Sequence, residues 1–73
     1  MKGIMKNKFG RNLKLLRKEN HLSQAKLAGM MEVTQQCISE WENEKIEPTL
    51  SNLWILSDIF DITIDELVGR KDF

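Results

Sequence analysis

Residues 22–42 read LSQAKLAGMMEVTQQCISEWE, a stretch in which two short helical patterns follow one another closely. Ser23 is a favoured N-cap residue at the start of the first pattern. The apolar residues that follow recur at helical spacing and would form an inner face of Leu27, Ala28 and Met31. The first half of the stretch therefore predicts a short amphipathic helix.

The second half of the stretch repeats the same arrangement. Thr34 is a suitable N-cap, and Ile38 and Trp41 would point inward at a spacing of three. Val33 and Ile38 occupy the two positions of a hydrophobic staple. About three residues around Glu32 separate the two helices, so the stretch predicts a helix-turn-helix motif.

Three further helices are predicted outside this motif. Before it, Phe9, Leu13 and Leu16 lie at i, i+4 and i+7 and indicate a helix over about residues 7–19. After it, Pro48 interrupts the chain and Thr49 would cap a fourth helix. The residues expected on the inner face of this fourth helix are Leu50, Leu53, Leu56 and Phe60.

The fifth helix is predicted from its first turn. Thr63 and Glu66 have the spacing of a capping box, and Ile62 with Leu67 forms a second staple. Strand-like alternation persists only over residues 61–65, which are better explained as the start of this helix. Each apolar face is too narrow to be stable alone, so we expect a compact all-α bundle of five helices.

Length and composition favour one small domain. The chain has 73 residues, and no apolar run approaches the roughly 20 residues that span a bilayer. Its start lacks the apolar core of a signal peptide, so a cytoplasmic location is expected. Cys37 is the only cysteine and His21 the only histidine, which excludes an internal disulfide and argues against a structural zinc site.

A net charge of zero hides two oppositely charged parts. Residues 1–26 carry eight basic side chains and one acidic one, a net charge of +7. Residues 27–73 carry three basic and ten acidic side chains, a net charge of −7. The basic part could be an ordinary solvated helix or a surface that faces phosphates, and charge alone does not distinguish the two.

The order of these features resembles the phage-repressor and Cro-like, or XRE-type, helix-turn-helix DNA-binding domains. The matching residues are Leu22-Ser23-Gln24, Leu27-Ala28, Val33-Thr34, Ile38-Ser39, Trp41-Glu42, Pro48-Thr49-Leu50 and Ile64-Asp65-Glu66-Leu67. The resemblance covers about residues 9–68 and rests on many weak positions. It implies a DNA-binding domain over residues 7–69, with residues 1–6 as a flexible basic arm and residues 70–73 as a short tail.

The resemblance also implies a DNA interface with the third helix in the major groove. The implied base contacts are Thr34, Gln35, Gln36, Ser39 and Glu40. The implied phosphate contacts are Ser23 and Gln24 at the start of the second helix, Asn43 and Lys45 after the third, and Lys8, Arg11 and Lys14 from the basic part. The chemistry suits these roles, because glutamine pairs with adenine N6 and N7 and glutamate accepts from cytosine N4.

Members of the family often pair an arginine of the first helix with a glutamate at the end of the third. Here these positions hold Arg17 and Glu42, so we expect a partly buried bidentate ion pair. The chain departs from the family at its turns, where glycine is usual. The residues found there instead are His21, Glu32, Glu44 and Asp61.

Domains of this family dimerise through their fourth and fifth helices, which assigns Trp54, Ile55 and Ile62 to a dimer surface. The resemblance therefore implies a regulator, most simply a repressor, that binds a pseudo-palindromic operator as a homodimer. The alternative is a protein-interaction module, an antitoxin or anti-repressor, and the acidic part favours it slightly. No cofactor, small-molecule ligand or sensing domain is expected. No nucleophile, acid and base are grouped, so catalysis has no support.

Overall fold

The computed structural model describes residues 7–73, and this part of the chain contains five α-helices. The helices are α1 (Phe9–Glu19), α2 (Gln24–Met31), α3 (Gln35–Glu42), α4 (Leu50–Phe60) and α5 (Ile64–Val68). This part of the chain contains no strand, which confirms the predicted all-α, five-helix class. The predicted N-terminal arm, residues 1–6, lies outside the described residues. None of the five helices is long and apolar enough to cross a membrane.

Four helices begin where the sequence places their caps. The side-chain oxygens of Ser23, Thr34, Thr49 and Thr63 each accept a hydrogen bond from the backbone N–H three residues later. At Thr63 the capping box is complete, because the Glu66 carboxylate accepts from the Thr63 backbone N–H at 2.9 Å. Each cap of this kind is worth about 1 kcal/mol of stability.

All five helices contribute to one apolar core. Its buried side chains are Phe9, Leu13, Leu16, Leu27, Ala28, Met31, Ile38, Trp41, Leu56 and Leu67. Phe9 of α1 meets Trp41 of α3 edge to face, with 6.1 Å between ring centroids. The predicted staple residues Val33 and Ile62 pack against this core as partly buried neighbours.

The predicted inner face of α4 is wrong at its first residue. Leu56 is buried and Leu53 and Phe60 are partly buried, but Leu50 is 68% exposed. Leu50 precedes Leu56 by six residues, which turns it about 120° away from the buried line on a helix of 3.6 residues per turn. It lies instead one turn before Trp54, which is 63% exposed.

Four turns adopt left-handed backbone at the residues where the family usually has glycine. The φ angles are 58° at His21, 60° at Glu32, 61° at Glu44 and 55° at Asp61. Side chains with a Cβ are strained in this region by roughly 1–2 kcal/mol. The turns therefore adopt a backbone conformation that favours glycine, at the expense of local strain.

Glu32→Gly is accordingly expected to stabilise the protein. Relief of the strain exceeds the extra unfolded-state entropy of glycine, which leaves a net gain of roughly 0.5–1 kcal/mol. In a domain of this size such a gain raises the melting temperature by about 2–8 °C. Thermal unfolding followed by circular dichroism measures it. Ala25→Gly, at an exposed position in the first turn of α2, is the matched control and should lower the melting temperature.

Helix α1 holds the ends of α3 and α5 in place. The Asn12 side-chain amide donates to the backbone carbonyls of Glu66 and Leu67, both at 3.2 Å. On another side of α1, a Cβ at Gly10 would lie 2.5 Å from the Trp41 carbonyl oxygen and 2.9 Å from that of Glu42. The absence of a side chain at Gly10 thus allows α1 to approach the C-terminal end of α3.

Candidate nucleic-acid interface

The exposed face of α3 lies opposite its contact with the core. Gln36 and Glu40 stand two residues before and two residues after Ile38, and each is therefore rotated roughly 200° from it. Ile38 is fully buried, whereas Gln36 is exposed and Glu40 partly buried. Of the other predicted base-contact residues, Thr34 and Gln35 are exposed and Ser39 is partly buried.

Two hydrogen bonds order this face, which we call the reading face: Thr34, Gln35, Gln36, Ser39 and Glu40. The Gln36 amide nitrogen Nε2 donates to Glu40 Oε2 at 3.3 Å, one helical turn away. The Asn43 amide nitrogen Nδ2 donates to Ser39 Oγ at 3.3 Å. The polar groups of the reading face are thus partly oriented before any ligand arrives.

An ion pair fixes the far end of α3 against α1. Arg17 Nε donates to Glu42 Oε2 at 2.6 Å and Arg17 Nη2 donates to Glu42 Oε1 at 3.1 Å. The two side chains are only 10% and 3% exposed. The remaining guanidinium nitrogen, Nη1, donates to the Leu22 carbonyl at 2.8 Å. The bidentate pair that the resemblance implies is therefore present, and it is buried rather than partly buried.

The hydrogen bonding of the Arg17 guanidinium to the accepting Glu42 carboxylate is the main cause that raises the pKa of Arg17, against the opposing effect of burial. The folded-state pKa therefore lies above the unfolded one, and the stability contributed by the charged guanidinium is lost only as pH rises through that pKa. Because arginine is ordinarily charged far into the alkaline range and its pKa is raised further here, the pair keeps its cation throughout the ordinary pH range.

Gln24, predicted to contact a phosphate, is also tied to this ion pair. Its amide nitrogen Nε2 donates to Glu42 Oε1 at 3.0 Å, which links the first turn of α2 to α1 and α3. Sequence reasoning did not find this contact. Ser23 is the other residue of this turn that is predicted to contact a phosphate. Its hydroxyl oxygen accepts a hydrogen bond from the Lys26 backbone N–H at 2.9 Å and so caps α2.

The sequence and fold match one protein family. Residues 13–67 fit the profile of the family described as Helix-turn-helix. The chain belongs to the helix-turn-helix family. This is a class of DNA-binding transcriptional regulators without enzymatic activity, and the match covers all five helices except the start of α1 and the last residue of α5.

One relative of this helix-turn-helix domain is named as an activator, whereas a solved structure that shares its fold is named as a repressor. An "HTH-type transcriptional activator BcrR" of Enterococcus faecalis is 36% identical over 64 residues, which are 88% of this chain and 31% of the relative. The chain therefore spans about a third of the length of that protein.

Solved structures share the fold. The P22 c2 repressor in complex with a synthetic operator superposes with a TM-score of 0.80 at 32% identity, over 86% of this chain and 96% of the repressor chain. A transcriptional regulator from Listeria innocua superposes with a TM-score of 0.86 at 28% identity, over 94% of this chain and 64% of that one. The predicted repressor-like fold of the helix-turn-helix domain is confirmed.

The predicted basic phosphate contacts of the helix-turn-helix domain divide into two groups. Lys14 follows Gly10 by four residues and precedes Arg17 by three, so it shares the side of α1 that meets α3. Lys8 and Arg11 lie on the side that meets α5. There they line a shallow pocket together with Asn12, Leu15, Gly69, Lys71, Asp72 and Phe73.

The surroundings of the reading face are acidic. Residues 27–44 contain no Lys or Arg, while Glu40 lies on the face and Glu32 and Glu44 occupy the adjoining turns. Burial raises the pKa of the Cys37 thiol, and the nearby Glu40 carboxylate raises it further. Cys37 is therefore a protonated, partly buried thiol next to the reading face.

The three residues assigned to the dimer surface differ in how far their side chains are exposed. Trp54 and Ile55 are 63% and 39% exposed on α4. Ile62 is partly buried against the core, between α4 and α5. Leu50, which the sequence placed in the core, adds its exposed side chain to the Trp54 side of α4.

Proposed function

We propose that the protein is a sequence-specific DNA-binding transcriptional regulator that inserts α3 into the major groove of an operator. The observation that carries the proposal is the reading face itself. It presents hydrogen-bonding side chains opposite Ile38, on a helix whose far end is held by the buried Arg17–Glu42 pair. An α-helix fits the major groove, where each base pair offers a distinct pattern of donors and acceptors.

In this proposal the reading face contacts base edges and the flanking groups contact phosphates. Asn43 and Lys45 are both exposed just beyond α3, and Lys14 lies on the neighbouring side of α1. The first turn of α2, at Ser23 and Gln24, adds backbone N–H groups that suit a phosphate. Lys8 and Arg11 act from the side of α1 next to α5. Such contacts fix position and orientation, while the bases supply sequence information.

We propose repression as the mode of regulation and a homodimer as the binding species. An occupied operator excludes other proteins without any further activity, so repression needs only binding. The P22 c2 repressor supports this choice by its name and its operator complex, whereas the name of BcrR points to activation. A bacterial or phage-encoded regulator of this kind acts on DNA in the cytoplasm. A cytoplasmic location is therefore part of the same proposal.

The proposed dimer forms through α4 and α5, around Trp54, Ile55 and Ile62. Exposed apolar side chains, above all Trp54, support this surface. A two-fold dimer would set two copies of α3 about 34–36 Å apart, one turn of DNA. Sedimentation without DNA at high micromolar concentration should give a dimer. A sharp monomer there would contradict this surface.

Selection of bound sequences from a random DNA pool tests the proposed function. The wild-type protein should enrich a pseudo-palindrome, and Gln36→Ala should relax the preference at one position in each half-site. The logarithm of the binding constant for the enriched site should also fall linearly with the logarithm of the salt concentration. The slope should be about −0.9 for each phosphate contact. No enrichment even at low salt would contradict DNA binding.

A protein-interaction module, an antitoxin or anti-repressor, is the second candidate. The −7 charge of residues 27–73 and the glutamates around the reading face favour it, because they repel phosphates. This candidate predicts binding to a protein and no enriched DNA sequence. The selection experiment therefore separates the two functions.

A further inference from the structure

The reading face lacks the side chains that most often read guanine. Bidentate contacts from Arg or Lys to guanine O6 and N7 are the commonest specific contacts in the major groove. Neither residue occurs in α3 or in the turn before it, and the first basic side chain after α3 is Lys45, which lies outside the reading face. What the centre of the face offers is one amide, from Gln36, and one carboxylate, from Glu40.

The contact between these two groups determines which way the amide faces. Gln36 Nε2 donates to Glu40 Oε2 at 3.3 Å, so the amide nitrogen lies next to the carboxylate. The reversed amide would bring two acceptor oxygens together and is therefore disfavoured. In the observed orientation Gln36 retains its carbonyl oxygen and one N–H for a partner.

This remaining pair of groups matches adenine. Adenine N6 donates and adenine N7 accepts, which are the complements of the Gln36 Oε1 and its free N–H. Guanine offers two acceptors, O6 and N7, and would require both N–H groups of Gln36 or a cation. Glu40 has taken one of those N–H groups, and its negative charge repels both guanine acceptors.

Glu40 retains acceptor capacity of its own. A carboxylate has about four acceptor positions, and Gln36 uses one of them. Among bases in the major groove, cytosine N4 and adenine N6 are the donors, and glutamate is suited to cytosine N4. Because Gln36 Nε2 donates to Glu40 Oε2, the two side chains lie side by side, and the groups that they retain can reach neighbouring bases.

We propose that Gln36 and Glu40 form one reading unit that selects an adenine next to a cytosine in each half-site. Gln36 contacts the adenine. Glu40 has two roles, as the acceptor for the cytosine amino group and as the positioning residue that orients the Gln36 amide. This inference rests on the proposed function, because it specifies which bases the reading face selects.

The test measures affinity for the selected operator and for duplexes with each of the two base pairs replaced in turn. Wild-type protein should discriminate against each replacement by roughly 5- to 150-fold. Glu40→Gln, which keeps the shape and removes the charge, should reduce discrimination at the cytosine and also at the adenine. Gln36→Ala should abolish it at the adenine.

The double variant separates positioning from a general structural effect. If Glu40 acts on the adenine through Gln36, Glu40→Gln should change adenine discrimination no further in the Gln36→Ala background. The unfolding midpoint of each variant should equal that of wild type. Glu19→Gln, an exposed substitution at the end of α1 outside the proposed interface, is the matched control and should leave discrimination at these two base pairs unchanged.

Three results have distinct meanings. A selected half-site without an adjacent adenine and cytosine overturns the reading unit and leaves the proposed function intact. Discrimination at both base pairs that survives Glu40→Gln unchanged also overturns the unit. Failure of the wild-type protein to enrich any sequence contradicts the proposed function itself.

Discussion

Glu42→Gln is expected to lower the free energy of unfolding by about 3–5 kcal/mol, because it leaves the Arg17 guanidinium buried without a counter-charge. The two side chains are 10% and 3% exposed, so water cannot replace the lost carboxylate. Glu42 also accepts from Gln24, and the same substitution perturbs the connection between α2 and α3. Domains of this size have total stabilities of about 4–11 kcal/mol. The loss is thus a large fraction of the whole.

Urea unfolding monitored by tryptophan fluorescence measures this loss. Glu19→Gln is the matched control, since Glu19 is exposed at the end of α1, and its effect should stay within about 0.5 kcal/mol. Replacing both partners by apolar residues, Arg17→Met with Glu42→Leu, should be much less harmful than Glu42→Gln alone. A loss below about 1 kcal/mol for Glu42→Gln would mean that the pair behaves as an exposed one.

Gly10→Ala is expected to be strongly destabilising, although alanine ordinarily favours helices. The new Cβ would lie 2.5 Å from the Trp41 carbonyl oxygen and 2.9 Å from the Glu42 carbonyl oxygen. Both are backbone atoms at the end of α3, so the strain can be relieved only by moving α1 away. Overpacking of this kind costs typically 1–3 kcal/mol, and the same movement would disturb the ion pair.

Gly29→Ala provides a control of opposite sign. Gly29 lies in the exposed body of α2, and a Cβ there would meet no atom within 4 Å. Alanine should therefore stabilise this helix by about 0.8–1 kcal/mol. Thermal unfolding of both variants measures the contrast. A rise in melting temperature for Gly10→Ala would show that α1 and α3 are farther apart than described.

The local features of the fold could be predicted from the sequence because they depend on neighbouring residues. Caps at Ser23, Thr34, Thr49 and Thr63 are short-range hydrogen bonds, and each forms as predicted. The prediction is wrong at Leu50, because an apolar side chain is not buried by its residue type alone. Whether the first residue of a helix faces the core depends on its rotational position about the helix axis. For Leu50 that position depends on how α4 packs.

For the candidate site, the sequence predicts a set of residues but not the contacts among them. Arg17 and Glu42 could be paired by resemblance, whereas the hydrogen bond of Gln24 to Glu42 depends on the angle between α2 and α3. The role of Gly10 likewise depends on how closely α1 approaches α3. The placement of Lys8 and Arg11 beside α5 requires knowledge of where the C-terminal residues return.

We propose that the reading face and the first turn of α2 together form the DNA interface. Titration of the ¹⁵N-labelled protein with its selected operator duplex, followed by backbone amide chemical shifts, locates that interface directly. The largest changes should fall on residues 34–40, with a second group at residues 23–26. Unchanged shifts over residues 34–40 at saturating operator, with changes confined to α4 and α5, would contradict the account.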